Sequence, residues 1–234
     1  MSERLTVAFA DADTHAQGVA IAGVGTLLSL GGELTQAPPP EIAAKEGGGD
    51  VLKLRSPNSY DLTLQPLGSA AALVDGALVS LWRASGTIGS QSFDGFGSLT
   101  RGSQNGATFA LERSLSIFFD AQLAFALAAR RPPGAHAHGE EQLEAFAFRG
   151  EPLEPSRIAV PRLSSTYDSD GLLTHTGIEL WESDESEFAL RIGGEALARG
   201  ELLHPGGART RVTFIDWHHD GRRGVGSYEI TTRD

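Results

Sequence analysis

Apolar and polar positions alternate in short runs along this chain, with a period of two. In Arg211-Val-Thr-Phe-Ile-Asp-Trp-His-His-Asp220, Val212 and Phe214 fall on one side, and Ile215 and Trp217 on the other. That is how side chains leave a β-strand. Asp220-Gly221 follows, and then a second run to Ile230. An Asp-Gly step between two such runs predicts a tight hairpin, because both residues tolerate the positive φ of the turn. Residues 157–167 and 172–181, on either side of Asp168-Ser-Asp-Gly171, predict a second hairpin. Residues 60–65 and 78–82 read as further strands, and Asp75-Gly76 and Asp94-Gly95 as further turn signals.

Residues 115–131 pose a choice between helix and strand. The alanines favour a helix. Yet Leu123, Phe125 and Leu127 occupy strictly alternate positions with alanines between them, which predicts a strand with one crowded, small-residue face ended by Pro132-Pro133-Gly134. Residues 35–50, with Pro38-Pro39-Pro40 and Gly47-Gly48-Gly49, read as a loop or lid. Many short strands punctuated by turns predict an all-β protein, an antiparallel barrel or a pair of packed barrel halves. The glycine-rich stretch 86–106 is the expected join, giving an N-terminal half over 1–95 and a C-terminal half over 96–234. No internal repeat stands out.

Composition narrows the function. The 234 residues include 30 acidic and 19 basic side chains, a formal net charge of −11. Nucleic-acid binding needs a basic footprint and is disfavoured. With no cysteine, disulfides and thiolate metal sites are excluded. No run approaches the length of a membrane span. The first residues lack a basic region followed by an apolar one, so a soluble cytoplasmic protein is expected.

Three chemical motifs can be weighed. Val19-Ala-Ile-Ala-Gly-Val-Gly25 opens like a dinucleotide fingerprint, but Leu28 stands at the third glycine and no helix follows, so a strand and turn are expected. His136 and His138, with Glu140, Glu141 and Glu144, resemble a metal-ligand set whose spacing fits no known pattern, so no metal is expected. No Gly-x-Ser-x-Gly surrounds any serine. What remains is the two aromatic, carboxylate-bearing hairpins.

Trp217-His-His-Asp-Gly-Arg-Arg-Gly-Val-Gly-Ser-Tyr-Glu229 resembles the end of the hydroxyneurosporene synthase, or carotenoid hydratase, superfamily. Thr166-Tyr-Asp-Ser-Asp-Gly171 with Glu179-Leu180 is similar to its penultimate hairpin, and Phe93-Asp-Gly-Phe-Gly97 to the run before its signature segment. The resemblance implies a lipocalin-like architecture that holds bulky apolar molecules such as isoprenoids. It also implies an activity of hydratase, cyclase or pericyclic type without a cofactor. Where hydratases carry His-Asn-Trp-Gly, this chain has Arg101-Gly-Ser-Gln104, with Thr100 before it, which argues against alkene hydration.

The expected function is therefore binding of a hydrophobic small molecule in a barrel cavity, with cyclisation or isomerisation of an isoprenoid or polyketide. The alternatives are a lipid or pigment carrier and an accessory domain without a ligand. A carboxyl group among aromatics can hold its proton and act as a general acid, which nominates Asp216 and Asp168. Trp181, Trp217, Tyr167, His175 and Phe125 are the expected lining, with Arg101 as an anion anchor. A homodimer is the one protein assembly considered.

Overall fold

The computed structural model describes residues 3–44, 50–73, 76–103, 109–135 and 140–233. It is all-β, and no α-helix occurs among the described residues. Two curled antiparallel sheets form two half-barrels. The first contains β1 (Glu3–Asp11), β2 (Ala16–Ile21), β3 (Gly25–Leu30), β4 (Glu33–Ala37), β5 (Glu41–Ala44), β6 (Leu52–Ser56), β7 (Tyr60–Pro66), β8 (Ala71–Ala72), β9 (Leu78–Ile88) and β10 (Gln91–Ser103). The second contains β11 (Leu111–Asp120), β12 (Leu123–Arg131), β13 (Gln142–Arg149), β14 (Glu154–Arg157), β15 (Val160–Tyr167), β16 (Leu173–Trp181), β17 (Leu190–Leu203), β18 (Arg209–His219) and β19 (Arg222–Thr232). The change of sheet falls between Ser103 and Leu111, so the glycine-rich strand β10 completes the first sheet.

The two sheets follow one path. The first runs β4-β3-β2-β1-β10-β9-β7-β6-β5, with the two-residue β8 attached to β9, and the second β14-β13-β12-β11-β19-β18-β17-β16-β15. In each, the first strand pairs with the last, three strands meander away on one side, and the rest return on the other.

The hairpin signals at Asp170-Gly171 and Asp220-Gly221 join β15 to β16 and β18 to β19, and Asp220 and Gly221 have φ of 48° and 74°. Asp94-Gly95 is no turn. It lies inside β10, where a Cβ on Gly95 would stand 2.2 Å from the Ala10 carbonyl oxygen, so glycine allows the close approach of β1. Asp94 forms a two-pronged ion pair with Arg83. Asp75 lies outside the described residues. The expected loop at 35–50 contains β4 and β5, edge strands joined by the three prolines, and its residues 45–49 lie outside the described residues. The dinucleotide-like run is the β2–β3 hairpin.

Residues 115–131 form the β11–β12 hairpin, turned by Asp120, whose Oδ1 accepts the Gln122 N–H at 2.8 Å. Alternation then divides β12 between two cores. Leu123, Phe125, Leu127 and Ala129 enter the interior of the second half-barrel. Ala124, Ala126 and Ala128 face the first sheet, packing with Val79, Leu81 and Phe118. A second inter-sheet cluster joins Val19, Ile21 and Leu27 to Val212 and Phe214. The first half-barrel has its own core around Phe9, Tyr60 and Phe93.

Candidate functional site

Between these inter-sheet clusters lies a cavity of about 560 Å³. It sits where β1 and β10 of one sheet meet β11 and β19 of the other. Thr6, Thr100 and Gly102 come from the first sheet, and Ser114, Glu229 and Thr231 from the second. Apolar wall is supplied by Ile21, Val24, Leu73 and Val79, and by Ala126 and Ala128. Phe109, from the connection between the sheets, and Arg233 complete one end, where the Arg233 N–H reaches the Ala110 carbonyl at 3.5 Å.

The polar groups of the cavity are held in place by short contacts. Glu229 is 6% exposed; Ser114 donates to its Oε2 at 3.0 Å and Ser227 to its Oε1 at 2.8 Å. Both oxygens thus accept, the pattern suited to an ionised carboxylate. Arg130, 5% exposed, reaches Glu112 at 3.4 Å and lies over the Phe109 ring at 5.4 Å. His204 Nε2 is 2.7 Å from the Thr210 hydroxyl, which lies 2.7 Å from that of Thr231. His204 belongs to the turn joining β17 and β18, closed by its N–H to Ala208 and by Gly207 N–H to its carbonyl. Ser116 and Ser98 bridge the sheets at 2.6 Å.

The residues expected from sequence lie elsewhere. Trp217 and Phe125 are buried in the interior core of the second half-barrel. Trp217 is fully buried with no hydrogen-bond partner for its Nε1, and Phe125 packs edge-on to Phe119 and His219. Asp216 lies 2.6 Å from Arg223 at its Oδ2, so it lacks the apolar surroundings the acid argument requires. Asp168 is a turn residue: its Oδ1 accepts the Asp170 and Leu172 N–H groups and its Oδ2 meets Arg199 at 3.4 Å. Tyr167 is 40% exposed. A bulge between Thr166 and Tyr167 shifts the register of β16, so Leu173 is buried while His175 is exposed. Trp181 is half-buried, under the Arg162 guanidinium at 4.6 Å. Arg101 alternates with Thr100 and Gly102, and so shares the opposite face with Leu99. None of these eight residues lines the cavity.

His136 and His138 lie outside the described residues. Of the acids near them, Glu141 receives Arg113 at 3.1 Å and also Arg131, and Glu144 receives Arg157 at 3.1 Å. This group sits at one end of the second half-barrel with Tyr228, whose hydroxyl accepts from Arg113 at 3.2 Å and lies 3.3 Å from that of Ser165. Burial pushes the Tyr228 phenol up to about 12, against the opposing effect of Arg113. In the first half-barrel burial likewise raises Tyr60 to about 12, although its hydroxyl bonds Thr26 at 2.7 Å.

Sequence reasoning missed Glu229, His204, Arg130 and Ser114. Glu229 lay within the quoted C-terminal motif, on the face of β19 opposite Tyr228. Alternation alone could have placed it there, but not against the other sheet.

The architecture fits a lipocalin-like fold. No family model matches the sequence, and no curated protein matches it significantly. The fold does match solved structures. The crystal structure of CghA with Sch210972 aligns with TM-score 0.62 over 99% of this chain and 88% of that one, at 10% identity. The crystal structure of CghA gives the same TM-score and coverage at 9% identity. These matches carry the fold, and nothing in them points to carotenoid hydratases in particular.

Proposed function

We propose that this protein binds a bulky hydrophobic small molecule in the cavity between its two sheets and cyclises or isomerises it without a cofactor. The observation that carries this reading is the cavity of about 560 Å³, apolar along one side and furnished with Glu229, His204 and Arg130 on the other. Ligand pockets for drug-sized molecules run to roughly 300–1,000 Å³. They combine apolar wall with a few fixed polar groups, as this one does. A carboxylate and an imidazole beside a bound molecule are the residue types that move protons in such reactions. The structural likeness to CghA, crystallised with Sch210972, supports a small-molecule site in this fold. The resemblance of the C-terminal motif supports an isoprenoid or polyketide substrate.

The carrier reading is favoured by one specific observation. Glu229 and His204 already hydrogen-bond to neighbouring hydroxyls, an arrangement suited to recognition as well as to catalysis. Incubation with linear polyene and polyketide mimics, followed by mass spectrometry and chromatography, separates the two. An isomer of unchanged mass supports the enzyme; retention of unaltered ligand supports the carrier. Ala128→Trp, which fills the cavity, should abolish both. If apolar probes bind equally to this variant and to the wild type, the cavity is not the site.

A further inference from the structure

The two half-barrels match residue for residue around the cavity. β1 meets β10 with Thr6 opposite Thr100, Ala8 opposite Ser98 and Ala10 opposite Phe96. β11 meets β19 with Ser114 opposite Glu229, Ser116 opposite Ser227 and Phe118 opposite Val225. The same motif stands at the same register in both last strands: Gly95-Phe-Gly-Ser98 and Gly224-Val-Gly-Ser227. Its glycines also serve one purpose. A Cβ at Gly95 would strike the Ala10 carbonyl at 2.2 Å, and one at Gly224 the Phe118 carbonyl at 2.7 Å. A Cβ at Gly97 would come within 3.2 Å of the Ala8 carbonyl oxygen, and one at Gly226 within 1.9 Å of that of Ser116.

The turns flanking the cavity correspond as well. Leu73 N–H bonds the Ala77 carbonyl and Gly76 N–H the Leu73 carbonyl, just as His204 N–H bonds Ala208 and Gly207 N–H bonds His204. The inter-sheet clusters exchange in the same way. Val79 and Leu81 of β9 against the alanines of β12 answer Val212 and Phe214 of β18 against Val19 and Ile21 of β2. The chain is thus a doubled unit, and the cavity lies on its pseudo-twofold axis.

The matched positions have diverged in one direction. Thr100 corresponds to Glu229, Gly102 to Thr231, Ile21 to Ala128 and Leu73 to His204. The N-terminal half presents mainly apolar wall, and the C-terminal half carries the carboxylate, the imidazole and the small alanines. Four charged side chains line the space, Glu112 and Glu229 against Arg130 and Arg233, so the lining is formally neutral. Arg130 is engaged by Glu112, and Glu229 presents acceptors. From this asymmetry, and resting on the cavity reading proposed above, we infer that the ligand is an uncharged amphiphile. Its hydrogen-bond-donating head, an alcohol, amide or enol, meets the Glu229 wall, and its apolar body lies along the N-terminal wall. A carboxylate head would face Glu229 as a like charge, and an ammonium head would face buried Arg130; like charges brought together at an interface are strongly disfavoured.

The test is a chain-matched series of dodecanol, dodecanamide, dodecanoate and dodecylammonium, titrated by calorimetry into the wild-type protein and Ala128→Trp. The alcohol and amide should bind at least about tenfold more tightly than either ion, a difference of ~1.4 kcal/mol. Ala128→Trp should lose them. Glu229→Gln, its folding checked by thermal melting, should bring dodecanoate to within about threefold of dodecanol, a gap of under ~1 kcal/mol. If either ion binds as tightly as the neutral heads in the wild type, the inference is overturned while the cavity reading survives. If no member binds, or Ala128→Trp binds them unchanged, the cavity reading itself fails. The wild-type series decides between these outcomes even if Glu229→Gln does not fold.

Discussion

Single residues in this molecule are constrained chiefly by how closely backbones approach. Gly221 and Gly226 stand five positions apart in the same hairpin but answer to different forces. Gly221 has φ of 74° with open space around it, whereas a Cβ on Gly226 would lie 1.9 Å from the Ser116 carbonyl oxygen. Gly221→Ala should therefore cost about 1 kcal/mol, the conformational penalty alone. Gly226→Ala should cost more than ~3 kcal/mol or prevent folding, because backbone must move. Urea melts of the two variants measure the difference; equal losses would refute the close-approach argument.

Tyr60 and Tyr228 give a residue-scale prediction in pH. Each is buried as a neutral phenol, with its folded value raised from 10.0 to about 12. Below pH 10 both are neutral in either state and their stabilising contribution is complete. As pH climbs from 10 toward 12 the unfolded chain ionises first, so stability is lost across that window, on the order of 2 kcal/mol per tyrosine. Phenolate absorbance should rise together with loss of near-ultraviolet circular dichroism. A phenolate signal that saturates while the fold is intact would contradict it. At this scale the sequence misled where a dipeptide had two uses. Asp-Gly makes the turns at 170–171 and 220–221, but at 94–95 the same pair lets one strand pass close to another, and only the neighbouring strand distinguishes the cases.

Among elements, β12 is the most instructive. Its alternation of large residues and alanines was legible, and so was the strand. The destination of each face was not, since it depends on β9, some fifty residues away in sequence. Phe125, inside the second half-barrel, should lose about 3–5 kcal/mol on substitution by alanine. Ala124→Ser, on the face toward the first sheet, should be several-fold milder, because the hydroxyl adds little volume where the core is built from small residues. Thermal denaturation of both variants is the check. Equal losses would mean the two faces are not packed as described. The site escaped the sequence for a related reason. Both aromatic hairpins drew attention because their chemistry is dense locally, yet they point into a packed interior or outward. The cavity is assembled from ordinary-looking threonines, serines and one glutamate contributed by both sheets.

For the whole molecule, the alternating strands foretold the all-β class, but the doubling of the unit was hidden because identical strand paths leave little trace in residue identity beyond Gly-x-Gly-Ser. We propose that neither half is independent. Val79, Leu81, Val212 and Phe214 are buried only by the opposite sheet. The full chain should melt in a single transition with matching calorimetric and van't Hoff enthalpies. Fragments 1–103 and 109–234, expressed separately, should expose these faces and aggregate or bind apolar dyes. Two separable melting transitions, or soluble fragments with native near-ultraviolet spectra, would count against this.

The position of the cavity on the doubling axis also determines what lies at its threshold. Thr6 near the first strand's beginning, Phe109 in the connection between sheets and Arg233 after the last strand all border the same space. Purification tags, fused partners or natural extensions on either end emerge beside the ligand's door, and a tag left in place stands in the path of any small molecule being assayed. The same geometry gives evolution an inexpensive means of retuning access. Lengthening a tail or the connection near Phe109 alters who enters without disturbing a single strand pairing.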